Sequence, residues 1–240
     1  MSFLYHTFFF DPLYNSMIFL FKTLPLADAG IIVIVLTILV RLLLFPLSRK
    51  AVLTQVKMAE IGPELEAIKD KYKDKTEEQA RHTLALYKRR GVNPFSGILV
   101  IIVQIPIILA LYQIFLGFPA INTSVLYSFM KAPEHVNTVF LGLLDISVKS
   151  ILLAVLAAAS TYLQLHVSTQ SQSTAKGAKN SLSDNLAKSM QSQMKYFFPL
   201  LVLFISYKAS GVIALYLLTT NLFSILQEVF VRKNIKTARA

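Results

Sequence analysis

Cysteine is absent from the 240-residue chain, which excludes disulfide bonds, thiol catalysis and lipid attachment through cysteine. Acidic residues are also few, with 13 Asp and Glu against 24 Lys and Arg. No nucleophile elbow, zincin motif or phosphate-binding glycine loop occurs in the sequence. We therefore expect neither an enzyme nor a bound cofactor. The histidines are scattered without the close spacing of metal ligands, at His6, His82, His135 and His166.

Long apolar runs dominate what is present. Hydrophobic residues make up 55% of the chain, and the mean hydropathy of +0.57 is too high for a soluble domain of this length. A membrane-spanning helix needs about 20 apolar residues; three of the runs reach that length, the first almost does, and the fourth does if it starts near Met190. The sequence thus predicts an all-α integral membrane protein with five transmembrane helices. The runs occupy 29–47, 95–118, 139–166, 196–207 and 212–231.

The basic residues are unevenly distributed around these runs. Segment 49–90 holds eleven of the 24 Lys and Arg, and segments 168–195 and 232–240 hold four each. The positive-inside rule places these segments in the cytoplasm, with the N-terminus outside and the C-terminus inside. Termini on opposite sides of the membrane require an odd number of spans, and five spans satisfy this. The net charge of +11 therefore indicates membrane orientation rather than DNA binding.

Arg41 interrupts the first apolar run. An arginine stays charged at physiological pH, and holding it in lipid costs about 2.5–3.5 kcal/mol on insertion scales. It either snorkels to the surface or lines a hydrated cavity. Gln104 either binds a neighbouring helix or lines the same cavity. At about 1.5 Å per residue, Arg41 would lie about 9 Å from a helix end at Leu47 and Gln104 about 14 Å from a helix start at Phe95, both in the cytoplasmic half.

Segment 50–92 predicts a cytoplasmic helical hairpin. Gly62-Pro63 marks a break before its first helix, and Thr76-Glu-Glu-Gln79 predicts a capping box at the start of its second. That second helix carries Leu84 on its apolar face and ends at Gly91–Pro94. The hairpin is either a solvated spacer or an interaction surface for partner proteins. Its first helix has an apolar seam of coiled-coil spacing, at Met58, Ile61, Leu65, Ile68 and Tyr72.

The remaining segments surround a five-helix core at 29–232. Residues 1–28 predict an amphipathic helix at the outer membrane interface; a signal peptide is disfavoured because no Lys or Arg precedes Lys22. Residues 168–193 are typical of a flexible cytoplasmic loop. Residues 233–240 form a short basic cytoplasmic tail.

Asp145 and Glu228 are the carboxylates within the predicted spans, and both lie near span ends. This position argues against an aspartyl intramembrane protease. With Lys149, Asp145 predicts an i,i+4 pair that anchors the outer end of the third helix.

A series of short motifs runs along the chain from about Leu13 to Arg232. They are LTILVRLLLFPL at 36–47, KM at 57–58 followed by Pro63, ALYK at 85–88, GVNP at 91–94, VQIP at 103–106, ALY at 110–112, FLGLLDIS at 140–147, SG at 210–211, LY at 215–216, and NLF at 221–223 followed by Gln227. In this order they resemble the YidC-type membrane protein insertases of the YidC/Oxa/Alb superfamily.

The resemblance implies a hydrophilic groove that opens to the cytoplasm and to lipid and is closed outside. It implies that Arg41 is the groove arginine and Gln104 a polar groove residue. Tyr162 falls in the third-helix region that contacts substrate, and Tyr216 and Thr219 belong to the groove lining on the fifth helix. Segment 50–92 corresponds to the family's mobile cytoplasmic hairpin.

The function implied is that of a minimal insertase and chaperone of the bacterial inner membrane. It would move hydrophilic segments of nascent membrane proteins across while their apolar helices enter lipid, alone or beside a Sec translocon. Implied partners are nascent membrane proteins, the ribosome, the signal recognition particle machinery and membrane lipids. A small channel or transporter using the same polar cavity is the alternative. An odd helix count without visible repeats weighs against a secondary transporter.

Overall fold

The computed structural model describes residues 3–24, 26–169 and 182–237, most of which are helical. In chain order the helices are α1 Phe3–Tyr5, α2 Asp11–Thr23, α3 Ala29–Leu43, α4 Phe45–Glu60, α5 Gly62–Lys71, α6 Thr76–Arg90, α7 Ser96–Gly117, α8 Ile151–Thr169, α9 Leu182–Lys208 and α10 Gly211–Thr237. A π-helical segment, His6–Phe10, joins α1 to α2. Strands β1 (Val139–Phe140) and β2 (Leu144–Asp145) form an antiparallel hairpin between α7 and α8.

Two helices in the described part of the chain, α8 and α10, are long and apolar enough to cross a membrane. The bent pair of α3 and α4 makes a third candidate when counted as one span, and Ile102–Gly117 of α7 is a shorter apolar helix. The sequence-based assignment to mostly helical membrane proteins therefore agrees with the structure at this level. The count of five spans stays a prediction.

Helix α10 lies at the centre of the bundle and packs against α8, α3, α4, α9 and α7. Small buried residues of α8, Ala154 and Ala157, allow its close approach to α10. Polar contacts reinforce this interface, because Asn221 Nδ2 donates to Thr161 Oγ1 at 2.7 Å and to Ser160 Oγ at 3.0 Å. In an apolar bundle such contacts fix the register of one helix against the next.

The first apolar run is bent, not straight. α3 ends at Leu43, and the axis of α4 departs from it by 62°. Pro46 lies in the first turn of α4, and because proline has no backbone N–H it cannot continue the hydrogen bonding of α3. The prediction of a helix running straight to Leu47 is therefore wrong. Arg41 lies two residues, about 3 Å, from the end of α3.

Helices α5 and α6 pack on each other around a small core of their own. The break before α5 falls at Ile61, as Gly62-Pro63 predicts, and Ile61, Leu86 and Val92 are buried between the helices. Leu84, expected on the apolar face, is 57% exposed, so Leu86 marks that face instead. The partly buried residues Met58, Leu65 and Ile68 of the predicted seam pack against the same core.

The ends of α6 differ in how well the sequence predicts them. The N-cap is Lys75, with no side-chain hydrogen bond, and Thr76 is already helical. The predicted capping box is therefore wrong, because a capping side chain must belong to the residue that precedes the helix. Gly91 ends α6 in the left-handed conformation with φ +58°, which glycine adopts without strain.

Residues 139–150 do not begin the third apolar helix, so the predicted start of that helix at 139 is wrong. They form the β-hairpin, whose turn has positive φ at Leu141 and Gly142, and α8 begins only at Ile151. The Asp145 carboxylate accepts hydrogen bonds from the amide and hydroxyl of Ser147. Asp145 thus stabilises a turn after β2 and forms no i,i+4 helical pair with Lys149.

The hairpin is attached to the start of α3. Asp28 caps α3 by accepting from Ile31 N, and its second oxygen accepts from Leu141 N at 2.9 Å. The ring of Phe140 lies directly over Gly30, where an added Cβ would be 2.2 Å from it. Only glycine permits this contact.

The terminal and loop segments also depart from the predicted boundaries. α9 begins at Leu182, so 182–193 is helical and not loop, and residues 170–181 lie outside the described residues. α10 extends to Thr237, so the predicted tail is helical up to that point. In segment 1–28, Tyr14 and Ile18 of α2 are buried against the main core, so this helix packs on the bundle. Its interfacial position stays a prediction.

Candidate functional site

A polar cluster lies where α3, α7 and α10 meet, formed by Arg41, Gln104, Tyr216 and Thr220. Tyr216 is only 6% exposed, and its side chain lies close to that of Arg41. The side chains of Gln104 and Thr220 also approach the Tyr216 hydroxyl. Three helices that are far apart in sequence therefore direct polar groups to one place in an apolar bundle.

The cluster has unused hydrogen-bonding capacity. Within the described part of the chain, Gln104 Oε1 and Thr220 Oγ1 are buried without a hydrogen-bond partner. Arg41 is half-buried and forms no ion pair with any described carboxylate. A buried polar atom without a partner costs about 1–3 kcal/mol. The cluster can lower that cost by bonding water or a polar segment of another chain.

Apolar packing closes the cluster on the side of the α3 N-terminus. Ile32, Val33 and Leu36 of α3 are at most 2% exposed. The ring of Phe115 on α7 lies 5.8 Å from that of Tyr216. A polar segment that reached Arg41 would therefore meet a dry barrier beyond it.

The structure brings together three of the residues singled out from the sequence: Arg41, Gln104 and Tyr216. Tyr162 lies elsewhere, facing α9, with Lys195 Nζ 5.5 Å from its ring centroid. Thr219 is on the correct helix, but its hydroxyl donates to the Leu215 carbonyl at 2.8 Å. The groove roles of all these residues stay predictions.

Sequence reasoning did not single out Thr220 as a member of the cluster. Thr220 is 8% exposed and lies one helical turn after Tyr216 on α10. Residues four apart share a helix face, and Tyr216 and Thr220 are both buried, whereas Thr219 is half-buried. The four-residue spacing from Tyr216 to Thr220 is the feature of the sequence that could have identified Thr220.

A second polar group joins the other end of α10 to its neighbours. Gln227 Nε2 donates to Ser48 Oγ on α4, and Ser168 Oγ on α8 donates to the carboxylate of Glu228. Glu228 is 5% exposed and pairs with Arg232 one turn later. The Gln227–Ser48 hydrogen bond joins α10 to α4 just after the bend, while the contacts of Glu228 join α10 to α8 and to its own next turn.

The chemistry of the candidate site is that of one cation, two hydroxyls and one amide. In the described ranges, no group of three His, Asp or Glu residues could hold a metal ion. An apolar helical bundle that half-buries a permanent cation is typical of an integral membrane protein.

Comparison with known proteins identifies the family. Residues 20–238 match the sequence model of the 60Kd inner membrane protein family, and the chain belongs to this family. It is 33% identical to a membrane protein insertase YidC of Clostridium perfringens, over 84% of this chain and 77% of that protein. A protein of the same name from Oceanobacillus iheyensis is 30% identical over 85% of this chain and 74% of its own length.

A longer relative matches more of this chain, but this chain spans a smaller share of that relative's length. The membrane protein insertase YidC of Wolinella succinogenes is 28% identical over 97% of this chain, which spans only 38% of that protein. These matches confirm the resemblance that the motifs predict. The protein is membrane-embedded, as the family and the apolar helices together indicate.

Proposed function

We propose that this chain is a membrane protein insertase and chaperone, and that the polar cluster is where it receives hydrophilic segments of its clients. The observation that carries the proposal is Arg41, half-buried beside the unpartnered oxygens of Gln104 and Thr220. The names of the relatives supply the class of activity. The cluster supplies a physical reason why this chain could perform it.

The proposed topology has five spans: the bent α3–α4 pair, α7, α8, α9 and α10. α7 has 22 residues and α9 has 27, each enough to cross about 30 Å of hydrocarbon. The positive-inside rule puts the α5–α6 pair and the C-terminus in the cytoplasm and the N-terminus outside. The helices α1 and α2 would lie at the outer interface.

In this orientation the cluster works as a partial crossing point. An acidic or polar segment entering from the cytoplasm would exchange its water for contacts with Arg41, Gln104 and Thr220. Charge-assisted hydrogen bonds are about twice as strong as neutral ones, so the desolvation barrier of the segment falls. The buried residues Ile32 and Leu36 would keep the outer half dry and prevent leakage of ions.

The apolar part of a client would leave sideways along the lipid-facing surfaces of α8 and α9. Leu156 and Leu163 on α8 and Phe197 and Phe204 on α9 are 42–61% exposed. Hydrophobic partitioning favours transfer of an apolar helix from such a surface into lipid. Together with synthesis by the ribosome and the membrane potential, it would drive insertion.

The α5–α6 pair is the proposed contact for the ribosome, the signal recognition particle machinery or a Sec translocon. A cavity of about 360 Å³ lies between its helices and is lined by Glu64, His82 and Arg89, among others. Arg89 and Arg90 both pair with Glu64, which fixes the two helices antiparallel. A basic, partly apolar surface of this kind suits nascent chains and acidic partners.

Expression of this chain in bacteria depleted of their own insertase tests the proposal. We expect it to restore insertion of small membrane proteins with short translocated tails, measured by protease protection of the tail. Purified protein in vesicles should leave ion and small-solute flux at the background of empty vesicles. Restored solute flux without restored insertion would establish the alternative, a channel or transporter.

A further inference from the structure

Two lysines meet at the end of the bundle opposite the α5–α6 pair. Lys149 precedes α8 by two residues, and Lys208 ends α9. Both side chains are exposed and border one shallow cavity of about 530 Å³. The cavity is lined by Ser147, Val148, Lys149, Lys208, Ala209 and Ser210.

The fold, not the sequence, brings these lysines together. Gly211 N donates to the Val148 carbonyl at 2.8 Å, and Val212 N donates to the Ile146 carbonyl at 2.9 Å. A Cβ at Gly211 would lie 3.1 Å from Ile146 Cα, so glycine allows the two chain segments to touch. The segment before α8 is thereby fixed against the α9–α10 turn.

The cavity carries positive charge that no described group neutralises. Neither Lys149 nor Lys208 forms an ion pair with a described residue. The carboxylate of Asp145 accepts hydrogen bonds from Ser147 and forms no ion pair with either lysine.

The surroundings of the cavity are apolar and exposed. Val148 in its lining is 57% exposed, and Ile151 at the start of α8 is 66% exposed. Phe204, one turn before Lys208 on α9, is 61% exposed, and Lys208 Nζ lies 6.0 Å from its ring centroid. In a membrane-embedded chain, apolar surfaces next to a helix end lie against lipid acyl chains.

We propose that Lys149 and Lys208 form a binding site for the phosphate of an anionic phospholipid headgroup. The two ammonium groups hold the phosphodiester, with the hydroxyl of Ser210 as a further donor. The acyl chains lie along Val148, Ile151 and Phe204. The apolar surface selects a lipid over a free phosphate ion. In the proposed orientation the site faces the outer leaflet.

The absence of tryptophan from the chain allows a local fluorescence test. The full-length Ile151→Trp variant is reconstituted in phosphatidylcholine vesicles that contain dibrominated phosphatidylglycerol or, separately, dibrominated phosphatidylcholine. We expect stronger quenching by the phosphatidylglycerol at equal mole fraction. Lys149→Gln and Lys208→Gln should each lower this relative preference about fivefold, which is the effect of one cationic side chain near an anionic surface.

Matched controls separate this site from general attraction of anionic lipid. Lys131→Gln removes an exposed lysine from the connection between α7 and β1 and should leave the preference unchanged. A tryptophan at Leu116, which is 59% exposed on α7, should show no preference. Equal preference at both tryptophan positions, or preference retained in the double lysine variant, would overturn the proposal. Full displacement of the phosphatidylglycerol by inorganic phosphate would assign the site to a free anion and overturn the assignment to a lipid.

Discussion

The side chain of Tyr216 on α10 lies close to the guanidinium of Arg41 on α3. Tyr216 is 6% exposed and belongs to the helix at the centre of the bundle. A buried phenol from the central helix is therefore a neighbour of the half-buried arginine.

Arg41→Ala should lower the insertion rate of clients with acidic translocated tails roughly tenfold or more, because a hydrogen bond to a charged group is worth about 1.5–3 kcal/mol. Arg41→Lys should retain more activity, since the charge persists without the fork geometry. Insertion into reconstituted vesicles measures the effect. Arg49→Ala, at an exposed position on α4, is the matched control and should insert clients normally. Wild-type rates for Arg41→Ala would assign the arginine to a structural role.

Single cysteines at positions 41 and 104 should react with a membrane-impermeant thiol reagent from the cytoplasmic side only. The reason is that the cluster is polar while the α3 residues beyond it are buried and apolar. The cysteine-free chain makes labelling specific. Leu39→Cys, half exposed on α3, serves as the lipid-facing control and should stay unlabelled. Leu44, near the end of the same apolar run, packs partly against the core and is unsuitable as this control. Labelling from outside would indicate a continuous pore, and no labelling would indicate a dry cluster.

Replacing residues 64–88 by a short flexible linker should leave the bundle folded. Leu86 of α6 and the flanking residues Ile61 and Val92 form a cluster separate from the main core, so the deletion exposes no part of the main core. Thermal stability in detergent should therefore change little, while delivery of clients falls. Undiminished client insertion by the shortened protein would reduce the α5–α6 pair to a spacer.

Asn221 and Thr161 should show measurable energetic coupling between α10 and α8. Their hydrogen bond of 2.7 Å is buried, and such bonds in membrane helices contribute about 0.6 kcal/mol on average and at most about 1.7. A double-mutant cycle of Asn221→Ala and Thr161→Val, measured by unfolding in mixed micelles, gives the coupling. Ser224→Ala is the control, since its hydroxyl bonds only within α10. Additive effects of the two substitutions would contradict the contact.

Gly30→Ala should destabilise the protein by about 1–3 kcal/mol, the usual cost of overpacking a core. The added Cβ would lie 2.2 Å from the Phe140 ring, so Phe140→Ala should recover part of the loss. Gly117→Ala has open space around it and is the control. Unfolding free energies of the single and double variants provide the measurement. A Gly30→Ala protein as stable as the wild type would show that the β-hairpin is not packed on α3.

The sequence was sufficient for features that depend on local composition. Apolar runs predicted the helices, and Gly62-Pro63 and Gly91 predicted where two of them break or end, because backbone restrictions act over a few residues. It failed at the bend after Arg41, which a proline in the following turn produces within a continuous apolar run. The sequence also mispredicts 139–150. The long apolar run there favours a helix, but Gly142 and the Asp145–Ser147 turn interrupt it.

Alone, the sequence determined the membrane class, the charge asymmetry and the presence of a cation in an apolar segment, because each follows from residue type and order. The tertiary structure decided which polar residues share a site. It brought Arg41, Gln104 and Thr220 to Tyr216, and directed Tyr162 toward α9. It also brought Lys149 to Lys208. Such proximity depends on how helices rotate and cross, and this depends on packing between residues that are distant along the chain.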